Sequence, residues 1–150
     1  MGEADAFDNA TFLGLSRPTK RDPYRLSLFA RHLKAGERAR AIVPIRGGTL
    51  LVTDRRLLEL RPHLEVHGAW NVKEFLGYEV VREVDLKSIH EVEHMNPAAV
   101  AEPTGPPEES LLVRTAEGTW TIVVARGPEP TLTHDDVRAL RAIVEDGQAK

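Results

Sequence analysis

Between Arg38 and Arg126 the chain is a series of short aliphatic runs, each closed by turn residues, and this punctuation limits the fold more than any other feature. "ARAIVPIR" and "TLLVT" flank Gly47-Gly48, and "SLLVRT" and "TWTIVVA" flank Ala116-Glu117-Gly118. Strand-forming runs joined by so few residues can only pair antiparallel, as hairpins. Pro44 inside the first run points to an edge or a bulge, because proline has no amide to give a ladder. "DRR" turns the chain again into "LLELR", and "VHGAWNVKEF" and "YEVVREV" read as two further strands around Gly77. "MNPAAVAEPTGPPEES" is rich in Pro and Gly and reads as a long exposed loop that also takes in Glu108 and Glu109.

Helical signals stand at the two ends of this stretch. In "DPYRLSLFARHLKAG" Asp22 suits the N-cap, Pro23 the first helical position and Gly36 the position just past the end. Leu26, Phe29, Ala30 and Leu33 repeat at helical spacing and form a core-facing stripe. Tyr24, Leu28 and Arg31 fall on a second, semi-apolar face expected to be exposed. In "THDDVRALRAIVEDG" Thr133 and Asp136 make a capping-box start, and Val137, Leu140, Ile143 and Val144 make the stripe. The order is helix, about seven strands, helix. The absence of alternating strand and helix argues against a parallel α/β sheet, and a mainly-β α+β fold is expected, its curled antiparallel sheet plugged by the last helix. Residues 1–21 are expected to be an extended lead-in, and residues 22–147 a single domain.

The stretch "GGTLLVTDRRLLELR", Gly47 to Arg61, resembles the bacterial pleckstrin-homology-like and GRAM-type domains. Their second and third strands carry a small-residue turn, an aliphatic strand, a Thr-Asp-basic-Arg-Leu turn and another aliphatic strand. "KAGERARAIVPI" occupies the place of their Gly-Glu lead into the first strand. Thr53 and Asp54 have a local physical role here, since both side chains can satisfy turn backbone groups. The resemblance implies a PH-like antiparallel barrel of about seven strands with a C-terminal capping helix. The N-terminal helix is a departure from the minimal domain. The resemblance also implies a binding module of a prokaryotic kind, engaging lipid headgroups, peptides or a second copy of itself, with no catalysis and no cofactor.

The net charge of −3 hides an asymmetry. Residues 17–56 hold eleven basic residues against three acidic ones, a net +8, and the remainder carries −11. An anionic partner is one explanation, either a membrane surface or an acidic protein. The residues that would meet it are Arg17, Lys20, Arg21, Arg25, Arg31, Arg46, Arg55 and Arg56. The competing explanation is internal pairing with acidic residues such as Glu74, Glu79, Glu83, Glu108 and Glu109. Nucleic acid is disfavoured, because the strand runs around Trp70 and Trp120 carry few basic residues; both tryptophans read as core.

"SIHEVEHMN" contains His90-Glu91-x-x-His94, which on a helix would be a zinc-hydrolase signature and supplies the alternative function. On a strand His90 and His94 share one face and Glu91 points away from it. Pro97 leaves at most two helical turns, and no third ligand stands at a fitting position. The strand reading is therefore preferred, with no metal. Hydrophobic residues make up 41% of the chain and there is no Cys, so disulfides and thiolate chemistry are excluded. No apolar run approaches membrane-spanning length, and the acidic N-terminus is not that of a signal peptide. A cytoplasmic protein is expected, peripheral to the membrane if it binds one.

Overall fold

The turn chemistry produces the expected hairpins. The computed structural model describes residues 10–14, 23–67, 72–95, 108–127 and 129–149. Its elements are β1 (Thr11–Phe12), α1 (Pro23–Ala30), β2 (Ala39–Ile45), β3 (Gly48–Thr53), β4 (Arg56–His67), β5 (Val72–Asp85), a 3-10 turn (Leu86–Ser88), β6 (Ile89–Met95), β7 (Glu108–Thr115), β8 (Gly118–Arg126) and α2 (His134–Gln148). The first hairpin turns on Arg46-Gly47, with Ile45 opposite Gly48. Gly47 takes a positive φ of 75°. Gly48 opens β3, where a Cβ would stand 2.3 Å from the Leu60 carbonyl oxygen, so only glycine lets β3 approach β4 there.

The strands form two sheets, ordered β1-β2-β3-β4-β5 and β6-β7-β8. Apart from β1, which runs parallel to β2, neighbours are antiparallel. Ladder pairing does not close them into the expected barrel. The Arg46 amide donates to the Val123 carbonyl at 3.0 Å and joins β2 to β8 at one corner. On the other side the chain passes from β5 to β6 through the 3-10 turn, and α2 packs against that turn.

The first sheet is covered on two faces, which explains its nearly continuous aliphatic runs. Leu50, Val52 and Leu57 join the core between the sheets, with Leu111, Val113, Ile122 and the α2 stripe. Leu51, Leu58 and Leu60 face the other way and form a second core with Phe12, Leu26 and Phe29. Helix α1 is thus a third layer. The capping box at Thr133–Asp136 is present, and Val137, Leu140, Ile143 and Val144 are all buried. Trp120 is buried in the core as expected, with the Arg82 guanidinium 5.0 Å from its ring centroid; Trp70 lies outside the described residues.

Four expectations are corrected. α1 stops at Ala30, so Arg31 lies in the turn that follows; Leu33 still packs on the second core from that turn, which is why the helical period continued beyond the helix. Leu28 is buried, not exposed. Gly77 does not separate two strands: β5 runs through it at φ 92°, and the β4–β5 register slips between Pro62 and Leu64, so the glycine supports a bulge. Glu108 and Glu109 open β7 instead of lying in the loop.

Candidate functional site

The Thr53-Asp54-Arg55-Arg56 turn between β3 and β4 organises a buried polar cluster. The Thr53 hydroxyl accepts from the Arg55 amide at 3.0 Å and the Arg56 amide at 2.8 Å. The Asp54 carboxylate accepts from the Arg38 amide at 3.1 Å. Thr53 thus fills the turn-satisfying role expected of it, whereas Asp54 reaches out of its turn to the lead into β2. The buried Thr53 hydroxyl also donates to Glu37 at 2.6 Å.

Glu37, from the Gly36-Glu37 lead, meets Arg56 in a bidentate pair at 2.9 and 2.6 Å. Arg56 also donates to the His32 carbonyl at 2.9 Å and to Glu83. Burial pushes the Glu37 carboxyl upward, but the bonds from Arg56, Thr53 and the Lys34 amide outweigh it and hold the pKa at about 2. Hydrogen bonding to Glu37, opposed by burial, raises Arg56 above its usual value. Arg56 is therefore an interior residue, and its charge is spent on Glu37 and Glu83 rather than offered to a partner.

The remaining basic residues do not share one surface. Arg17, Lys20 and Arg21 lie outside the described residues, as does the side chain of Arg25. Arg46 sits at the β2–β3 turn and Arg55 at the β3–β4 turn. Successive turns of an antiparallel meander fall at opposite ends, here separated by the six residues of β3 or roughly 20 Å. At the Arg55 end stand Lys34, Arg38, Arg55 and Lys87, all exposed, with Arg31 nearby in the chain beside His32. Leu86 donates its amide to the Arg55 carbonyl at 2.9 Å, which brings Lys87 to this end. An open groove of about 490 Å³ lies here, lined by Asp54, Arg55, Asp85, Lys87, Ser88 and Gly147. Lys87 was not read from the sequence as part of a basic site. It lies outside the basic segment, and only the tertiary contact with Arg55 unites them.

A second buried cluster explains one half of the His-Glu-x-x-His pattern. Glu109 is fully buried. It accepts from the Thr131 amide at 2.7 Å, the Thr131 hydroxyl at 2.8 Å, the Leu132 amide at 3.1 Å and His94 Nε2 at 2.7 Å. Burial opposes its ionisation, but the Thr131 amide, His94, the Thr131 hydroxyl and the Leu132 amide together hold its pKa below the usual value. An ionised carboxylate only accepts, so His94 carries its proton on Nε2. The cluster ties β6 and β7 to the segment leading into α2.

The pattern lies on a strand, as preferred from its sequence context. His90 is exposed at a register shift between Ile89 and Glu91, and Glu91 points to solvent, 3.5 Å from Arg114. Among the described residues no three His, Asp or Glu side chains are grouped to hold a metal ion. No described helix is long and apolar enough to cross a membrane. No protein-family model matches the chain, and no curated protein matches it.

Proposed function

We propose that the chain is a pleckstrin-homology-like interaction module with no catalysis of its own, engaging an anionic membrane surface or a partner protein through the end of the first sheet around Arg55. The observation that carries this reading is the strand order. A four-strand antiparallel meander, β2 to β5, is followed by a three-strand meander, β6 to β8, and by a C-terminal helix packed between them. The Thr-Asp-Arg-Arg turn sits between the second and third of these strands, where the resemblance places it. The four buried carboxylates among the described residues are all engaged within the fold, Glu37 by Arg56, Glu59 by Arg61, Glu109 by His94 and Thr131, and Asp136 by the Thr133 amide, so exposed surface is what remains for function.

Lys34, Arg38, Arg55 and Lys87 outnumber the groove carboxylates of Asp54 and Asp85 at that end and make it cationic. Each basic residue held near an anionic bilayer adds about 1 kcal/mol, screened within a Debye length. Co-sedimentation with vesicles of mixed phosphatidylserine and phosphatidylcholine, against phosphatidylcholine alone, tests the membrane form. Binding that is lost in high salt and in Arg55→Glu/Lys87→Glu, but kept in Arg46→Glu at the opposite end, is the expected result. No binding at low salt refutes the membrane form. Equal losses in the two variants refute the assignment to the Arg55 end.

A further inference from the structure

The second sheet ends at β6, whose outer edge faces α2 across a groove of about 320 Å³. A sheet edge presents unpaired amides and carbonyls, and these must be covered or matched. α2 covers them in part, with side chains in place of a strand. Arg141 Nε donates to the Val92 carbonyl at 2.9 Å, and Gln148 Nε2 donates to the carbonyls of Leu86 at 2.9 Å and of Ile89. The Val92 carbonyl therefore points away from β7. The two-residue period of a strand turns the Val92 amide and the His94 amide and carbonyl the same way. Glu91, Glu93 and Met95, by the same alternation, pair with β7 opposite Arg114, Leu112 and Ser110.

We infer that this edge is a strand-addition site for an extended peptide carrying basic side chains, which lies along β6 beneath α2. The backbone of Val92 and His94 supplies hydrogen bonds that any extended chain can match, which is the mode in which main-chain pairing gives affinity and flanking side chains give selectivity. Val92 and Val144 give the groove an apolar floor. Its charge selects the partner. Arg141 keeps its positive charge while it donates to the neutral Val92 carbonyl, and the exposed carboxylate of Glu145 on the lining opposes it. Glu91 adds a second carboxylate, and its cationic neighbour Arg114 is closer to Glu93, at 2.9 Å, than to Glu91, at 3.5 Å. Occupation displaces Arg141 from Val92, so the groove is self-covered when empty.

The inference rests on the binding-module reading but uses a different face from Arg55, so peptide binding and vesicle binding can fail separately. The probes are peptides of about eight residues, one alternating Lys and Val, one alternating Glu and Val, and one Lys-Val peptide with alternate amides N-methylated. Amide NMR of the full chain reads the result. The Lys-Val peptide is expected to shift and protect the Val92 and His94 amides, and the other two to leave them unmoved. Glu145→Lys, at an exposed helix position, is expected to weaken binding about tenfold, and Arg141→Ala to strengthen it by freeing the Val92 carbonyl. Shifts confined to β5 or β8, no shifts at all, or equal binding of the N-methylated or the Glu-Val peptide would each overturn the assignment.

Discussion

Replacing Glu37 by Gln removes one charge from the cluster that joins the lead into β2 with the β3–β4 turn. Arg56 is then left buried, with a side chain only 8% exposed, facing one half-exposed carboxylate, Glu83. Breaking a buried pair from one side costs about 3–5 kcal/mol, because the remaining charge loses its compensation. The lowered pKa of Glu37, opposed by burial and held down chiefly by the same Arg56, corresponds to a similar magnitude. Its pKa falls from 4.5 to about 2, and at 1.36 kcal/mol per unit this corresponds to about 3 kcal/mol. The folded value is the lower one. The contribution is therefore complete above pH 4.5 and is lost as the pH falls from about 4.5 to about 2. Thermal denaturation at pH 7 should show Glu37→Gln melting roughly 10 °C below the parent, at about 2–4 °C per kcal/mol for a chain of this size. Denaturant titrations repeated down to acidic pH should show the gap closing, because the parent loses what the variant never had. A variant within 1 kcal/mol of the parent at pH 7, or a gap that stays constant down to pH 2, would refute the argument. Glu37→Met with Arg56→Met should recover part of the loss, because an apolar pair leaves no buried charge unmatched.

Leu140 is fully buried on the α2 stripe, so Leu140→Ala should cost about 2–4 kcal/mol by chemical denaturation, against little change for Ala142→Ser on the exposed face. Gly48→Ala places a methyl 2.3 Å from the Leu60 carbonyl oxygen, a backbone atom that cannot swing away, and should lower stability by about 1–3 kcal/mol. Gly77→Ala should cost less: its φ of 92° is strained for alanine, but nothing lies within 4 Å of the added carbon. Glu109→Gln turns an acceptor of four hydrogen bonds into a group with two donors and should cost about 1–3 kcal/mol at pH 7. Because the folded pKa of Glu109 lies below 4.5, the parent's advantage over this variant should shrink as the pH falls below that value.

The parts of the fold that the sequence made legible are those decided within a few residues. Thr133 and Asp136 cap α2 through contacts three residues apart, and the hairpins follow from two-residue turns. Thr53 serves a turn whose amides are its immediate neighbours, whereas the partner of Asp54, the Arg38 amide, lies sixteen residues back and was not legible. The end of α1 was not legible, because Leu33 keeps the helical period while packing from a turn. Gly77 was misread because a glycine in a bulge and a glycine between strands have the same local signature; only the register against Pro62 and Leu64 separates them. Glu109 could not have been assigned at all, since its donors lie 15 to 23 residues away. The candidate surface shows the same division. Arg55 was legible as an exposed turn residue, but that Arg56 turns inward depends on Glu37, and that Arg46 stands at the far end depends on the length of β3.

The charge asymmetry and the sheet edges lead to a common conclusion about where this molecule can bind. Part of the +8 of residues 17–56 is neutralised by acids outside that segment: Glu83 pairs with Arg56, and Asp146 on α2 with Arg40 at 2.8 Å. Among the described residues that leaves separate cations at two ends, with Arg46 and Arg55 about a strand's length apart. The open edges are unequal in the same way. β5 exposes Val80 and Val81, at 37% and 47%, which invites pairing. Its ladder is nevertheless irregular at Val81 and at Gly77, His32 donates to the Tyr78 carbonyl at 2.8 Å, and Glu79, Arg82 and Glu83 crowd the exposed stretch. Bulges and charges are the devices that blunt an edge against extension. β6 has a bulge only at its start, and its cover is two long side chains that can swing aside. An incoming strand would have to flatten β5, whereas at β6 it needs only to displace Arg141 and Gln148, and that difference assigns strand addition to β6.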